Sequence, residues 1–180
     1  VDRFTDHTFV CPVGPHRVRM HNEFALVIGD VAKSCGAFVD FEKHAPHLYA
    51  KDSSGNVVEA VLDLSIRWPM DAYCRWIDVT IRHPAVGSPS ELHRAARRAG
   101  EAARRGEREK HLRYPGDQLT AFAVETYGRV GAEARQWLRR MSLELPEDEQ
   151  VAELTRAYKV VSCAVQSELA LQLRKASGLK

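Results

Sequence analysis

Glu59-Ala-Val-Leu-Asp63-Leu-Ser-Ile-Arg-Trp-Pro69 and Trp76-Ile-Asp78-Val-Thr-Ile-Arg-His-Pro84 are two apolar runs, each carrying one carboxylate, and their reading decides the fold. Side chains alternate along a strand, so Val61, Asp63 and Ser65 share one face of the first run, and Trp76, Asp78 and Thr80 share one face of the second. Residues 70–75 suit a hairpin connection. If the two strands pair antiparallel, Asp63 and Asp78 converge on a site of metal-ion size. The alternative is that both aspartates are exposed polar positions on half-buried strands.

Working outward, the apolar positions Phe24, Ile28, Val31 and Ala32 follow the helical period and predict a helix over about 21–34, stopped by Gly36. A strand follows over 37–42, closed by Pro46, and the Asp52-Ser-Ser-Gly-Asn56 cluster turns the chain into the first aspartate run. Beyond the second run, Ser88-Pro-Ser-Glu91 has the pattern of a capping box with proline at the first helical position. A long helix is expected there, with Ala95, Ala96, Ala99, Ala102 and Ala103 allowing close approach to a sheet and a kink or break near Gly106. Next come a strand over 119–125, a short helix over 132–141 and a long final helix over 147–176. The order is that of an α/β protein with a central mixed sheet flanked by helices, plus a long C-terminal helix.

With 180 residues, of which 44% are hydrophobic, the chain suits one full core and is short for two. The 26 basic and 24 acidic side chains nearly balance, so net charge says little about partners. Local charge says more. Between residues 94 and 113 stand Arg94, Arg97, Arg98, Arg104, Arg105, Arg108, Lys110 and Arg113, against Glu101, Glu107 and Glu109. This stripe reads either as a solvated, salt-bridged helix face or as a phosphate-binding surface. The scattered cysteines 11, 35, 74 and 163 form no CxxC pair and suit a reducing compartment, and no apolar run approaches the roughly 20 residues of a membrane span. A soluble, intracellular protein is expected.

The order helix, strand, acidic hairpin, helix, strand resembles the PD-(D/E)xK, or restriction-endonuclease-like, superfamily, whose core order is αβββαβ. Asp63 and Asp78 match its two acids. Leu62 stands where the motif has proline, and Thr80 where it has its catalytic lysine. The endonuclease domains of site-specific non-long-terminal-repeat retrotransposons carry that lysine on the following helix, and Lys110-His-Leu-Arg113-Tyr114 is similar to their Lys-x-x-(Lys/Arg)-Tyr. Arg19-Met-His21-Asn22 looks like the Arg-His-Asn/Asp opening of those domains, and Val124-Glu125-Thr-Tyr-Gly128 like their later strand. The motifs occur in the family's order.

This resemblance spans 17–143, which it implies is the nuclease domain, with 144–180 a C-terminal helix on the same domain and 1–16 an irregular segment. His7 and Cys11 look like the last ligands of the zinc knuckle that commonly precedes such domains. Tetrahedral zinc needs four ligands, so zinc is expected only if residues outside this sequence complete the set. The implied activity is nicking of DNA, dependent on magnesium or manganese, in target-primed integration. A reverse-transcriptase domain would be the partner and the nucleus the location. Asp63, Asp78 and the Val79 carbonyl would hold the metal, and Lys110 would stabilise charge on the phosphate. Glu42, Glu125 and Tyr114 are possible supporting residues. Arg17, Arg19, Arg104, Arg105, Arg108 and Arg113 would grip the phosphate backbone without reading sequence. From a different class, a degenerate fold that binds nucleic acid or protein without cleaving is the alternative, and a stand-alone resolvase or repair nuclease would share the chemistry.

Overall fold

A computed structural model describes residues 16–51, 54–70, 73–115 and 118–176. Helix α1 (His16–Ser34) is followed by strands β1 (Phe38–Lys51), β2 (Val57–Arg67) and β3 (Arg75–Arg82). Helices α2 (Pro89–Arg97) and α3 (Glu101–Arg113) lead to β4 (Leu119–Glu125), then α4 (Ala132–Ser142) and α5 (Glu147–Ala176). The four strands form one mixed sheet in the order β1-β2-β3-β4. β1, β2 and β3 are successively antiparallel, and β4 lies parallel to β3 after the crossover through α2 and α3. The α/β class, the mixed sheet and the long last helix agree with the sequence reading.

Each face of the sheet is covered by different helices. Ile77, Val79, Phe122 and Val124 face the main core, where Phe24 and Ile28 of α1, Trp137 and Leu138 of α4, and Val161 and Val165 of α5 pack against them. The opposite face carries Asp78 and Thr80 on β3, with Ala121 and Ala123 in register beside them on β4. Those small residues let α3 lie close, through its own buried Ala102, Ala103 and Gly106. A second cluster, including Leu48, Leu62, Trp76, Tyr114 and Leu119, closes the far end.

Three expectations need correction. β1 runs through Pro46 to Lys51, because Pro46 falls where the β1–β2 register shifts, between Ala45 and Tyr49. An edge-strand irregularity is where a residue without an N–H is tolerated. The predicted long helix is two, and its break lies at Arg98–Gly100 and not at Gly106. Gly100 takes a left-handed φ of 80°, which ends α2 and starts α3. The capping box at Ser88 and Glu91 forms as expected. The first helix also begins earlier than expected, at His16.

Gly106 has another role. A Cβ there would lie 2.8 Å from Cγ2 of Thr80 and 3.2 Å from Cγ of Arg82. Its bare backbone therefore sets how near α3 comes to β3. Helices α3 and α4 both start at glycines, Gly100 and Gly131, without a side-chain cap of their own. Distant glutamates serve instead. Glu125 of β4 accepts from the backbone N–H groups of Ala102 and Ala103 at 3.1 and 3.3 Å, and Glu107 of α3 accepts from that of Glu133 at 3.0 Å. Among the described residues no helix is long and apolar enough to cross a membrane.

Candidate active site

The ladder between β2 and β3 holds only Leu64–Ile77, Ser65–Trp76 and Ile66–Arg75. Past Leu64 and Ile77 the strands part, and the register carried one step further places Asp63 against Asp78. At the fork the peptide groups of Val79 have no β2 backbone partner. Buried backbone groups need partners, and side chains supply them: Val79 N–H donates to Asp63 Oδ2 at 2.6 Å, and the Val79 carbonyl lies 3.3 Å from His21 Nε2. His21 Nε2 is also 3.3 Å from Asp63 Oδ2. The two carboxyl groups are within hydrogen-bond reach of each other.

Lys110 reaches the pair from α3, with its ammonium 2.6 Å from Asp78 Oδ2. It lies one helical turn beyond Gly106, on the same face. The missing Cβ of Gly106 lets this turn of α3 sit over Thr80, and the next turn sets Lys110 over Asp78. Thr80, 7% exposed, lies directly beneath α3, where a longer side chain would meet the helix. A lysine at 110 and a small residue at 80 are therefore two parts of one packing solution.

The electrostatics of the two acids differ. Burial pushes the Asp78 carboxyl up; the Lys110 ammonium pulls it down and the Asp63 charge pushes it up again, leaving it at about 6. Asp63 is also penalised by burial, but the hydrogen bond and charge of His21, with the Asp78 and Val79 hydrogen bonds, hold it below its usual range. The Asp63 partnership raises the His21 imidazole in turn. Like charges in one pocket thus have their ionisations forced apart.

Of the supporting residues, Glu42 is near the site. Phe41 pairs with Leu64 and Lys43 with Leu62, so Glu42 sits across from Asp63 on the neighbouring strand, exposed and with a left-handed φ of 49°. Glu125 is not near. It pairs with Arg82, four residues along β3 from Asp78 or about 13 Å, and its buried carboxylate is engaged by α3. Tyr114 is buried in the second cluster at the end of α3, and burial followed by the Asp78 charge raises its phenol. It is a packing residue and is not presented to solvent.

The proposed backbone-gripping arginines are dispersed. Arg19 pairs with Glu168 of α5 at 3.0 Å, and Arg104 and Arg108 turn to Glu101 at 3.3 and 3.7 Å. Much of the basic stripe is thus a salt-bridged surface. Arg105, itself paired with Glu91 at 3.2 Å, and Arg113 line a cleft of about 500 Å³ that also takes in His21, Lys110 and Arg82. The side chain of Arg17 lies outside the described residues, as do His7 and Cys11.

Sequence reasoning assigned His21 no part in this site, although the Arg19-Met-His21-Asn22 motif contains it. Its role depends on the fork, which no local pattern announces. Among the described residues no set of three His, Cys, Asp or Glu side chains is placed as a metal-binding group. The oxygens gathered at the fork are the Asp63 and Asp78 carboxylates, with the Val79 carbonyl 3.3 Å from His21 Nε2, all hard donors. That set suits magnesium or manganese, which keep several coordinated waters. No protein-family model matches this chain, and no curated protein compared with it is significantly similar.

Proposed function

We propose that Asp63, Asp78 and Lys110 form the catalytic centre of a metal-dependent DNA endonuclease with a restriction-endonuclease-like core. The observation that carries this reading is the Lys110 ammonium at 2.6 Å from Asp78, delivered from a helix to the forked strands. Asp63, Asp78 and the Val79 carbonyl would hold a magnesium or manganese ion, which when bound would supply Lewis-acid stabilisation of phosphate charge and lower the pKa of a coordinated water. Lys110 adds a fixed positive charge beside the phosphate as its charge grows. His21 and the Val79 N–H hold Asp63 ionised and oriented. In the reaction a water oxygen bonds to phosphorus as the bond to the 3′-oxygen breaks, and that oxygen leaves with a proton as a 3′-hydroxyl. In a retrotransposon this hydroxyl would prime a reverse-transcriptase domain, which makes the nucleus the expected place of action.

A specific feature favours a second reading. Thr80 stands where the motif has its catalytic lysine, and its hydroxyl is engaged by Arg82 Nε at 2.9 Å, which suits a degenerate centre that binds nucleic acid without cutting it. A nicking assay on supercoiled plasmid separates the two, run with magnesium, with manganese and with chelator. Metal-dependent nicking that disappears in Asp63→Asn supports the endonuclease. Binding without nicking under any metal supports the degenerate module. A substrate survey of branched, damaged and intact duplexes would then distinguish a resolvase or repair nuclease from a target-site nickase.

A further inference from the structure

We propose that the cleft beside this centre is a subsite for the phosphodiester adjacent to the scissile one, and that Glu109 occupies its guanidinium contacts until that phosphate displaces it. The proposal rests on the nucleic-acid reading above and adds where the neighbouring phosphate sits and what guards its place.

The cleft of about 500 Å³ runs between β3 and α3, from His21 and Lys110 at one end toward His83 at the other. Among the described residues Glu109 is the one acid lining it. The Arg82 Nη2 donates to Glu109 Oε2, while its Nε donates to Thr80 Oγ1 at 2.9 Å. Arg105 approaches the other Glu109 oxygen at 3.8 Å and is fixed by Glu91 at 3.2 Å and by the Val86 carbonyl at 3.0 Å. Two anionic oxygens therefore stand between two guanidinium groups, an arrangement that phosphate oxygens reproduce. The bond to Thr80 folds Arg82 back along β3 toward Asp78, which directs it to the next phosphate on the strand.

Glu109 suits a temporary occupant. Its side chain is 47% exposed, so it can swing into water at little cost, since such ion pairs are weak. Arg105 is only 18% exposed and held by other partners, so it stays in place when Glu109 leaves. Arg113, exposed at the rim and stacked over Tyr114, adds charge at the entrance.

Binding of a short labelled DNA duplex without metal, titrated over a range of salt, tests this. Arg82→Gln is expected to weaken binding about threefold to tenfold and lower the salt slope by about one. Glu109→Gln is expected to tighten binding about threefold, because it removes the competing anion. Arg82→Lys, which keeps the charge but not the fork, should fall between parent and Arg82→Gln and so separates a lost phosphate contact from a damaged fold. Unchanged or weaker binding by Glu109→Gln overturns the proposal, as does an unchanged affinity and salt slope in Arg82→Gln. If these shifts appear while the parent never cleaves, the endonuclease reading falls and the cleft stands only as a site for a backbone phosphate, with no scissile neighbour. If the parent cleaves and the shifts are absent, the subsite falls alone.

Discussion

Replacing Asp78 by asparagine should make the metal-free protein more stable at neutral pH while ending the proposed cleavage. The Asp78 carboxyl is 4% exposed and ionises at about 6 in the folded protein, against 3.8 for a free aspartate side chain. A folded pKa above the unfolded one favours the folded state fully below pH 3.8, and that advantage is lost as pH rises through 6. The gap of about two pH units corresponds to a loss of about 3 kcal/mol. An asparagine side chain does not titrate and escapes this loss. The substitution also leaves Lys110 facing an amide where it faced a carboxylate, so a net gain of about 1–3 kcal/mol at pH 8 is expected. Urea unfolding of parent and Asp78→Asn at pH 4.5, 6 and 8, with chelator, measures it. The variant's advantage should grow with pH. Equal pH dependence in both proteins, or a variant less stable at pH 8, would refute the account of a buried carboxylate that ionises against its surroundings.

Lys110→Met keeps the apolar stem and removes the charge, so single-turnover cleavage should slow by about 10²-fold or more while DNA affinity falls by about one phosphate contact. A parent-like rate would remove Lys110 from the chemistry. Gly106→Ala places a methyl against Thr80 and should cost about 1–3 kcal/mol and slow cleavage through displacement of Lys110. Thr80→Ser in the same chain removes the clashing Cγ2, keeps the hydroxyl that Arg82 uses, and should restore much of both. Glu125→Ala should lower the urea midpoint by an amount equivalent to about 1–3 kcal/mol, since two backbone N–H groups lose their acceptor. Its cleavage rate under folding conditions should stay within about threefold of the parent; a much larger drop would return Glu125 to the reaction. On the proposed mechanism, log cleavage rate at limiting metal should rise with pH and level off near or below pH 6, because only ionised Asp78 would serve as a ligand.

The fold was legible where physics is local. Alternation around Asp63 and Asp78 placed the strands, Ser88 and Glu91 announced the start of α2, and the helical spacing of Val161, Val165 and Leu169 gave the last helix. The approach of the two aspartates was legible because a hairpin and a strand period leave few registers, whereas Lys110 was singled out only through the motif of the family the sequence resembles. What failed was set by tertiary contact. Gly106 and Gly100 look alike in sequence, yet one is pressed against Thr80 and the other turns the chain through a left-handed residue. Glu125 ends a strand, a common place for a catalytic acid, but the uncapped start of α3 lies within its reach. His21 needed the forked strands before its partners existed.

The remote caps have a kinetic consequence. Neither α3 nor α4 has a side chain at its own N-cap to stabilise its first turn in the unfolded chain. The groups that do so, Glu125 and Glu107, arrive only once β4 has paired with β3 and α3 has docked on that parallel pair. Helix nucleation is the costly step, and here it is coupled to non-local pairing, which is slow to form. Lys110, near the end of α3, should therefore reach Asp78 late in folding, after β4 has paired with β3. A collapsed intermediate with a protected core and unprotected α3 amides, visible by pulsed hydrogen exchange, would be its trace, and in that state the assembled carboxylates would lack their cation.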